Sequence, residues 1–442
     1  MGMTQASSRA WILLLAGIGL LAFVLRWYYV THAMVNTPIR SDALEYYYYA
    51  WNLLHHGVFS MAKTDAPQVM SDGFRDPGYP VFLASWIAAF GEFPRWYLNL
   101  LVGQALLGAL TVMMLMSAAR TWLSTRWLAG AGVLMAIWPH SITITGFALT
   151  ETLFGFLIAA ALCVLSVALR RGSGWLMALT GLLFGMAALT NAMAIPLAPC
   201  LALLLWMMNR APRRLLATLA LSALLLPLCW GLRNVQVGGA SSGSRAAMNL
   251  VQGSWPDYHD NFYRYAVDHD AEATKKLGLM GSEIRLVQEH PGQGLSSMAQ
   301  RMSAAPGHYI AWYLSKPALL WGWSIRVGAG DIYVYPTTYS PFYDKLPLRV
   351  IVSVCYALNP VLMLFMLIGC IAAWLHRRQA DPILIVIMAM AAFVTLVYSI
   401  LQAEPRYSIP FRGIELLLAA YGASQLVRLA IARRTAVQTG PT

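Results

Sequence analysis

Long apolar runs, each about the length of one bilayer crossing, alternate along this chain with short polar joints and two long mixed segments. A helical span needs roughly 17–25 mostly apolar residues. Ten segments meet or approach that length: Trp11–Tyr29, Trp96–Ala119, Trp127–Thr145, Thr152–Leu169, Trp175–Leu189, Ala192–Met208, Leu215–Leu232, Val350–Leu375, Pro382–Leu401 and Ile414–Ile431. The fifth and sixth are the shortest, with only Thr190-Asn191 between them. The first is followed by Trp27-Tyr28-Tyr29 and not by small residues, so it reads as a retained span and not a cleaved signal. The pattern predicts an all-α polytopic membrane protein of about ten transmembrane helices, with juxtamembrane helices in two long loops. It divides the chain into three regions: residues 1–232 as an N-terminal core containing the first loop (30–95), residues 233–349 as a loop region with interfacial helices, and residues 350–442 as the C-terminal helices.

Composition agrees. Of 442 residues, 58% are hydrophobic and 11% charged, whereas a soluble domain carries about 25% charged residues. Soluble enzymes, disordered chains and nucleic-acid-binding domains are excluded. The net charge of +12 has an orienting meaning. With the N-terminus inside, Arg9, Arg120, Arg126, Arg170, Arg171, Arg210, Arg213, Arg214, Arg377, Arg378, Arg428, Arg433 and Arg434 all fall in cytoplasmic connections, against the single acid Asp381. Both termini are then cytoplasmic and both long loops lie on the outer face. Treating the aromatic stretch Pro306–Arg326, with Lys316, as an eleventh span would turn Arg377 and Arg378 outward. It reads instead as a helix at the headgroup level. The five cysteines lie in apolar runs with no metal or redox spacing, and no internal repeat stands out.

Polar chemistry is scarce, so its positions matter. Ser41–His56 reads as a helix with a glycine stop at Gly57, and Asp42 with Glu45 has the spacing of a capping box. Tyr46 and Ala50 share the face of Asp42 at four-residue steps. Glu151 opens the fourth span on the same side of the membrane. Each carboxylate has a plain reading as a helix-terminal charge and a functional one, because acids at membrane depth are rare. Arg75, Arg233 and Arg406 lie on the outer face, against the orientation rule. They either snorkel to headgroups or form a phosphate clamp, since guanidinium matches phosphate oxygens. His140, after Pro139, is a structural histidine, a ligand or a base. The run Trp255–Asp260 holds metal-capable side chains without a recognisable ligand spacing.

Asp42 with Tyr46, Ala50, Leu53 and Gly57, followed by Arg75-Asp76-Pro77-Gly78-Tyr79-Pro80, resembles the first outer loop of GT-C glycosyltransferases. The nearest branch is the bacterial relatives of protein O-mannosyltransferases and of the aminoarabinose–lipid A transferase. Trp138-Pro139, Thr150–Phe154, Gly181–Gly185, Trp230 with Arg233-Asn234, and Glu404-Pro405-Arg406-Tyr407 extend the resemblance over nearly the whole chain. Asn191 stands where relatives often carry arginine, and Ala43 where several carry a second acid. The resemblance implies transfer of a sugar from a polyprenyl-phosphate carrier to a glycan, lipid or protein acceptor, with inversion, at the periplasmic face of a bacterial inner membrane. It implies Asp42 as general base and Glu151 as its partner, as the residue orienting the acceptor, or as a ligand to a divalent cation such as Mg or Mn. Arg75, Arg233 and Arg406 become candidates for the donor phosphate, and Glu45, Tyr46, Tyr79, His140, Glu404 and Tyr407 for substrate contact. The competing class is a transporter or flippase of lipid-linked sugars, which predicts ionisable residues or broken helices near mid-membrane.

Overall fold

The apolar runs fold as expected. The computed structural model describes residues 7–237, 242–323 and 335–438, and all ten expected spans are helical in it. After α1 (Ser8–His32), the first long segment carries α2 (Ser41–His56) and α3 (Gly78–Phe90). The bundle continues with α4 (Arg95–Ala119), α5 (Thr125–Ile137), α6 (Pro139–Thr143), α7 (Glu151–Arg171), α8 (Gly174–Thr190), α9 (Leu197–Met207) and α10 (Arg213–Val237). The second segment holds α11 (Ser242–Gly253), α12 (Tyr258–Asp268), α13 (Ala271–Glu289), α14 (Pro291–Ser303), α15 (Pro306–Trp321) and α16 (Pro341–Asp344). The chain then runs through α17 (Leu346–Leu375), α18 (Pro382–Ile400) and α19 (Arg412–Gln438). Among the described residues the one sheet is a two-residue ribbon, with β1 (Met34–Val35) antiparallel to β2 (Thr337–Thr338). The protein is a multi-pass, all-α membrane protein.

Among the described residues, seven helices are long and apolar enough to cross a membrane, or eight if a bent pair counts as one span. That pair is α5 and α6, broken by 54° ahead of Pro139. Proline has no N–H to continue the ladder, and the carbonyls freed by the break need donors. Arg26 of α1 supplies them, reaching the carbonyls of Ala136 at 3.1 Å and Met135 at 3.3 Å. Of the expected fifth and sixth spans, α8 with 17 residues is at the lower limit of about 17 for a crossing, whereas α9 has 11, about 17 Å at ~1.5 Å per residue, and is too short to cross alone.

Lys316 also differs from expectation. Its side chain is fully buried within the protein and does not snorkel outward. Its ammonium donates to the carbonyls of Ser399 at 3.0 Å and Leu401 at 2.8 Å, closing the C-terminus of α18. Helix α15 is therefore docked on the bundle. Arg326, expected near its end, lies outside the described residues.

The two long segments meet over one end of the bundle. Besides the β1–β2 ribbon, Arg245 of α11 pairs with Asp76 at 3.4 Å; within the second segment, the Trp312 indole donates to the Gly253 carbonyl at 2.9 Å. A small core of its own, Val251, Met280, Val287 and Met298, holds the second segment together.

Candidate active site

Helix α2 is the platform. It ends as expected at Gly57, whose φ of +64° is a left-handed conformation that glycine adopts without a Cβ clash. The capping-box expectation is not met: Arg40 occupies the cap position and its own side chain makes no capping bond. Asp42 is thus free of the plain structural role. Its carboxylate turns to two arginines. Oδ1 accepts from Arg75 Nη2 at 2.7 Å, and Oδ2 accepts from both terminal nitrogens of Arg406 at 3.3 Å.

Arg75 reaches this position because α2 stitches down the loop that presents it. Asn52 donates to the carbonyls of Ser60 at 3.0 Å and Ala62 at 2.7 Å. Asp72 accepts from the Tyr49 hydroxyl, from Met61 N–H at 2.8 Å and from Phe74 N–H at 3.1 Å. Arg75 then donates through Nε to Glu45 at 2.5 Å and through Nη1 to Tyr46 at 3.3 Å, with its cation 5.0 Å from the Tyr46 ring. Tyr79 backs Tyr46 edge-on at 5.1 Å and donates to Gln104 at 3.1 Å. Gln104 in turn bonds the carbonyls of Thr145 and Phe147 at 3.0 and 2.9 Å, fixing the stretch that leads into α7.

Glu151 stands at the first position of α7. It accepts from Arg406 Nε at 2.5 Å, while its second oxygen is buried without a partner. Arg406 therefore joins the two carboxylates that the sequence places on one face. The cluster is Asp42, Glu45, Tyr46, Arg75, Glu151 and Arg406, brought together from α2, its following loop, α7 and the turn before α19. Burial raises the Asp42 carboxyl, but the adjacent Arg75 and Arg406 charges outweigh it and bring it down to about 2. The Asp42 side chain keeps 31% of its surface exposed, against 13% for Arg406 and 10% for Arg75. With Glu45, at 33%, it forms the open side of the cluster.

Other candidates sit elsewhere. Arg233 is not brought to the carboxylates. It donates to the Asp72 and Phe59 carbonyls and to Ser71, with its guanidinium over the Trp230 ring at 4.6 Å, so it fastens the Arg75 loop. Tyr79 and His140 have no exposed surface. His140 lies 4.3 Å from the Trp323 ring and 6.4 Å from Trp138, inside the bundle. Tyr407 stacks on Tyr398 at 4.9 Å and donates to Gln402 at 3.1 Å, next to Glu404 on the Arg406 turn. Gln402 also contacts His259 at 3.2 Å, so the second segment reaches the margin of the site.

Two participants, Arg245 and Tyr335, escape the sequence reading. Arg245 pairs with Asp76, which burial pushes above the usual carboxylate range. Asp76 also accepts from the Ala192 N–H at the break between α8 and α9. Tyr335 bonds the backbone on both sides of Asp42. Arg245 shares the one available signal, a basic residue on the outer face, but no motif surrounds it. Nothing local marks Tyr335.

Among the described residues, no group of three His, Cys, Asp or Glu side chains is placed to hold a metal ion. Asp42, Glu45 and Glu151 are bridged by guanidinium groups, so in this arrangement the donor set does not fit a divalent cation.

In sequence, no family profile and no curated protein matches the chain. In structure, it is similar to the Archaeoglobus fulgidus oligosaccharyltransferase AglB in complex with an inhibitory peptide and a dolichol-phosphate. That likeness has a TM-score of 0.52 at 15% identity, over 98% of this chain and 52% of that one. The A. fulgidus oligosaccharyltransferase tethered with an acceptor peptide gives a TM-score of 0.53 at 14% identity, over 98% and 51%. ArnT from Cupriavidus metallidurans bound to undecaprenyl phosphate aligns over 98% and 82% at 16% identity, with a TM-score of 0.39. The chain spans about half the length of the archaeal enzymes. The likeness is one of fold, and the fold is the one seen in the archaeal oligosaccharyltransferase.

Proposed function

We propose that the protein transfers a sugar from a polyprenyl-phosphate carrier to an acceptor at the outer face of a bacterial inner membrane, with both termini in the cytoplasm. The observation that carries this reading is Asp42, partly exposed and clamped between Arg75 and Arg406 at the end of an apolar bundle. Such a site offers a carboxylate for a proton and arginines for a phosphate, next to lipid. The dolichol-phosphate in the AglB complex is a reason to try a polyprenyl carrier first.

In this reading the acceptor hydroxyl or phosphate enters on the exposed side of Asp42. The carboxylate takes its proton, the acceptor oxygen attacks the anomeric carbon, and the bond to the carrier phosphate breaks on the opposite side, inverting the centre. The phosphate leaves with the bonding electron pair, and its charge is met by Arg406 and Arg75. General-base help of this kind typically contributes about 10²–10⁴-fold. Glu151 holds Arg406 in reach, and Tyr407 and Glu404 border the sugar. The branch of O-mannosyl- and aminoarabinose-type transferases guides the choice of donors.

A transporter of lipid-linked sugars is the second reading, favoured by the break at Pro139 over the buried Arg26. Against it, both terminal nitrogens of Arg26 donate to carbonyls that the break frees. One experiment separates the two. Purified protein is given a polyprenyl-phosphate sugar and a mixed pool of acceptors. Donor consumption that Asp42→Asn stops supports transfer. Donor that crosses the bilayer unconsumed supports transport.

A further inference from the structure

A carboxylate held by two guanidinium groups is a poor base, because the form that must accept a proton is the form they stabilise. If Asp42 is the base of the proposed transfer, something must release it. The two grips are unequal. Arg75 is caged, with Asp42 at 2.7 Å, Glu45 at 2.5 Å and Tyr46 at 3.3 Å. Arg406 is anchored to Glu151 through Nε at 2.5 Å, but its two terminal nitrogens reach Asp42 only at 3.3 Å. Charge-assisted bonds are usually about 2.7–2.9 Å. The forked end of Arg406 is therefore the loosest charged contact in the cluster, and it offers the paired donors that a phosphate prefers.

Resting on the reading of Asp42 as the base, we propose that Arg406 is a latch: the carrier phosphate takes its forked end from Asp42, so that filling the phosphate subsite unmasks the base. Glu151 is the hinge pin, keeping Arg406 in place through Nε while the fork changes partner. Chemistry is then tied to donor occupancy. Without a donor phosphate, Asp42 stays neutralised and activates no acceptor.

The charged and titratable groups around Asp42 define what must change. They are Glu45 and Tyr46 of α2, Arg75 of its loop, Glu151 of α7, Arg406, Arg245 of α11, Tyr258 of α12 and Tyr335. Of these, only Arg75 and Arg406 are paired with Asp42. Moving Arg406 to a phosphate leaves Asp42 with one guanidinium and a new anion nearby. Both changes favour its protonated form, so binding draws a proton from solvent.

The test is calorimetric titration of the full chain in lipid nanodiscs with undecaprenyl phosphate, which carries no sugar and cannot turn over. Titrations at pH 5 in buffers of different ionisation enthalpy count the protons. A phosphate monoester ionises near this pH itself, so the wild-type count is read against that of Asp42→Asn. Wild type should take up a fraction of a proton more per ligand than Asp42→Asn, and Asp42→Asn should bind about tenfold more tightly, since the competitor for Arg406 is gone. Equal proton counts in the two proteins, or unchanged or weaker binding by Asp42→Asn, overturns the latch. If Asp42→Asn fails to fold, Asp42→Ala takes its place in the same comparison. Inorganic phosphate at millimolar concentration should reproduce the difference. An equal response to phosphatidylglycerol would assign it to bulk headgroups and overturn the role of a carrier phosphate. If the latch operates and no glycosyl donor is ever consumed, the transferase reading fails and the latch stands.

Discussion

Tyr335 closes the start of the helix that carries Asp42: its hydroxyl accepts from the Ala43 N–H at 3.1 Å and donates to the Arg40 carbonyl at 2.9 Å. The first N–H groups of a helix have no partner within it, and α2 has no side-chain cap of its own. A residue of the second long segment thus sets the direction in which the candidate base leaves the backbone.

The consequence is measurable in Tyr335→Phe, which removes the hydroxyl and keeps the ring. Losing a helix cap costs about 1 kcal/mol, so the melting temperature should fall slightly. Because Ala43 adjoins Asp42, kcat for donor consumption should fall about tenfold, on the order of that same energy, with binding of undecaprenyl phosphate unchanged. A lower melting temperature with full turnover would leave Tyr335 a cap and nothing more.

Acid should act on the cluster in a defined window. Asp42 lies at about 2 in the fold against an ordinary 3.8, so the folded state binds fewer protons between those values. Stability from the Asp42 clamp is therefore complete above about pH 4 and is lost as pH falls toward 2. At ~1.4 kcal/mol per unit, the contribution is about 2 kcal/mol. Urea titrations of the nanodisc protein at pH 6 and pH 3 should show the loss in wild type and a smaller one in Asp42→Asn. Equal losses in the two proteins would mean that other carboxylates carry the acid sensitivity.

Chelation offers a third check. The carboxylates of the cluster accept from arginines, and those cations occupy the positions at which a divalent ion would neutralise charge. Donor consumption should therefore survive extensive treatment with EDTA, and added Mg or Mn should leave it within about twofold, well inside one tenfold step of 1.36 kcal/mol. An activity abolished by EDTA and restored by one metal would show that the arginines move aside for it.

How much of the fold and the site the sequence discloses depends on the range of the interactions. Hydropathy is local, and all ten apolar segments are helical. Their lengths are less legible, because Asn191 and Asp76 set the break between α8 and α9 across distant parts of the chain. Asp42, Arg75, Glu151 and Arg406 announce themselves as charges in the wrong place, and the fold joins them. Arg233 and Lys316 announce themselves in the same way, yet one pins a loop and the other closes a helix. Charge pattern finds residues whose burial needs a reason, but only the fold separates a structural reason from a chemical one. Tyr335 gives no such signal, since its role depends on a contact between the two long segments.

Arg406→Lys tests the geometry most directly. Arginine can bond Glu151 through Nε and Asp42 through its fork at once because its donors are spread over a rigid plane. A lysine ammonium is a single point and can serve one carboxylate well or two poorly. With charge conserved, a loss of function must come from geometry. Lysine at position 406 should keep the fold, since Glu151 retains a cation, and should lower kcat/KM for the polyprenyl-phosphate donor by about 10²-fold, or about 2.7 kcal/mol. Glu151→Gln keeps the shape of the hinge and removes its charge, so the loss should be smaller and should appear mainly in kcat. The double variant should be no worse than Arg406→Lys alone, because both changes act through one contact. Additive losses would mean that Glu151 and Arg406 serve the reaction separately, and the hinge between them would have to be given up.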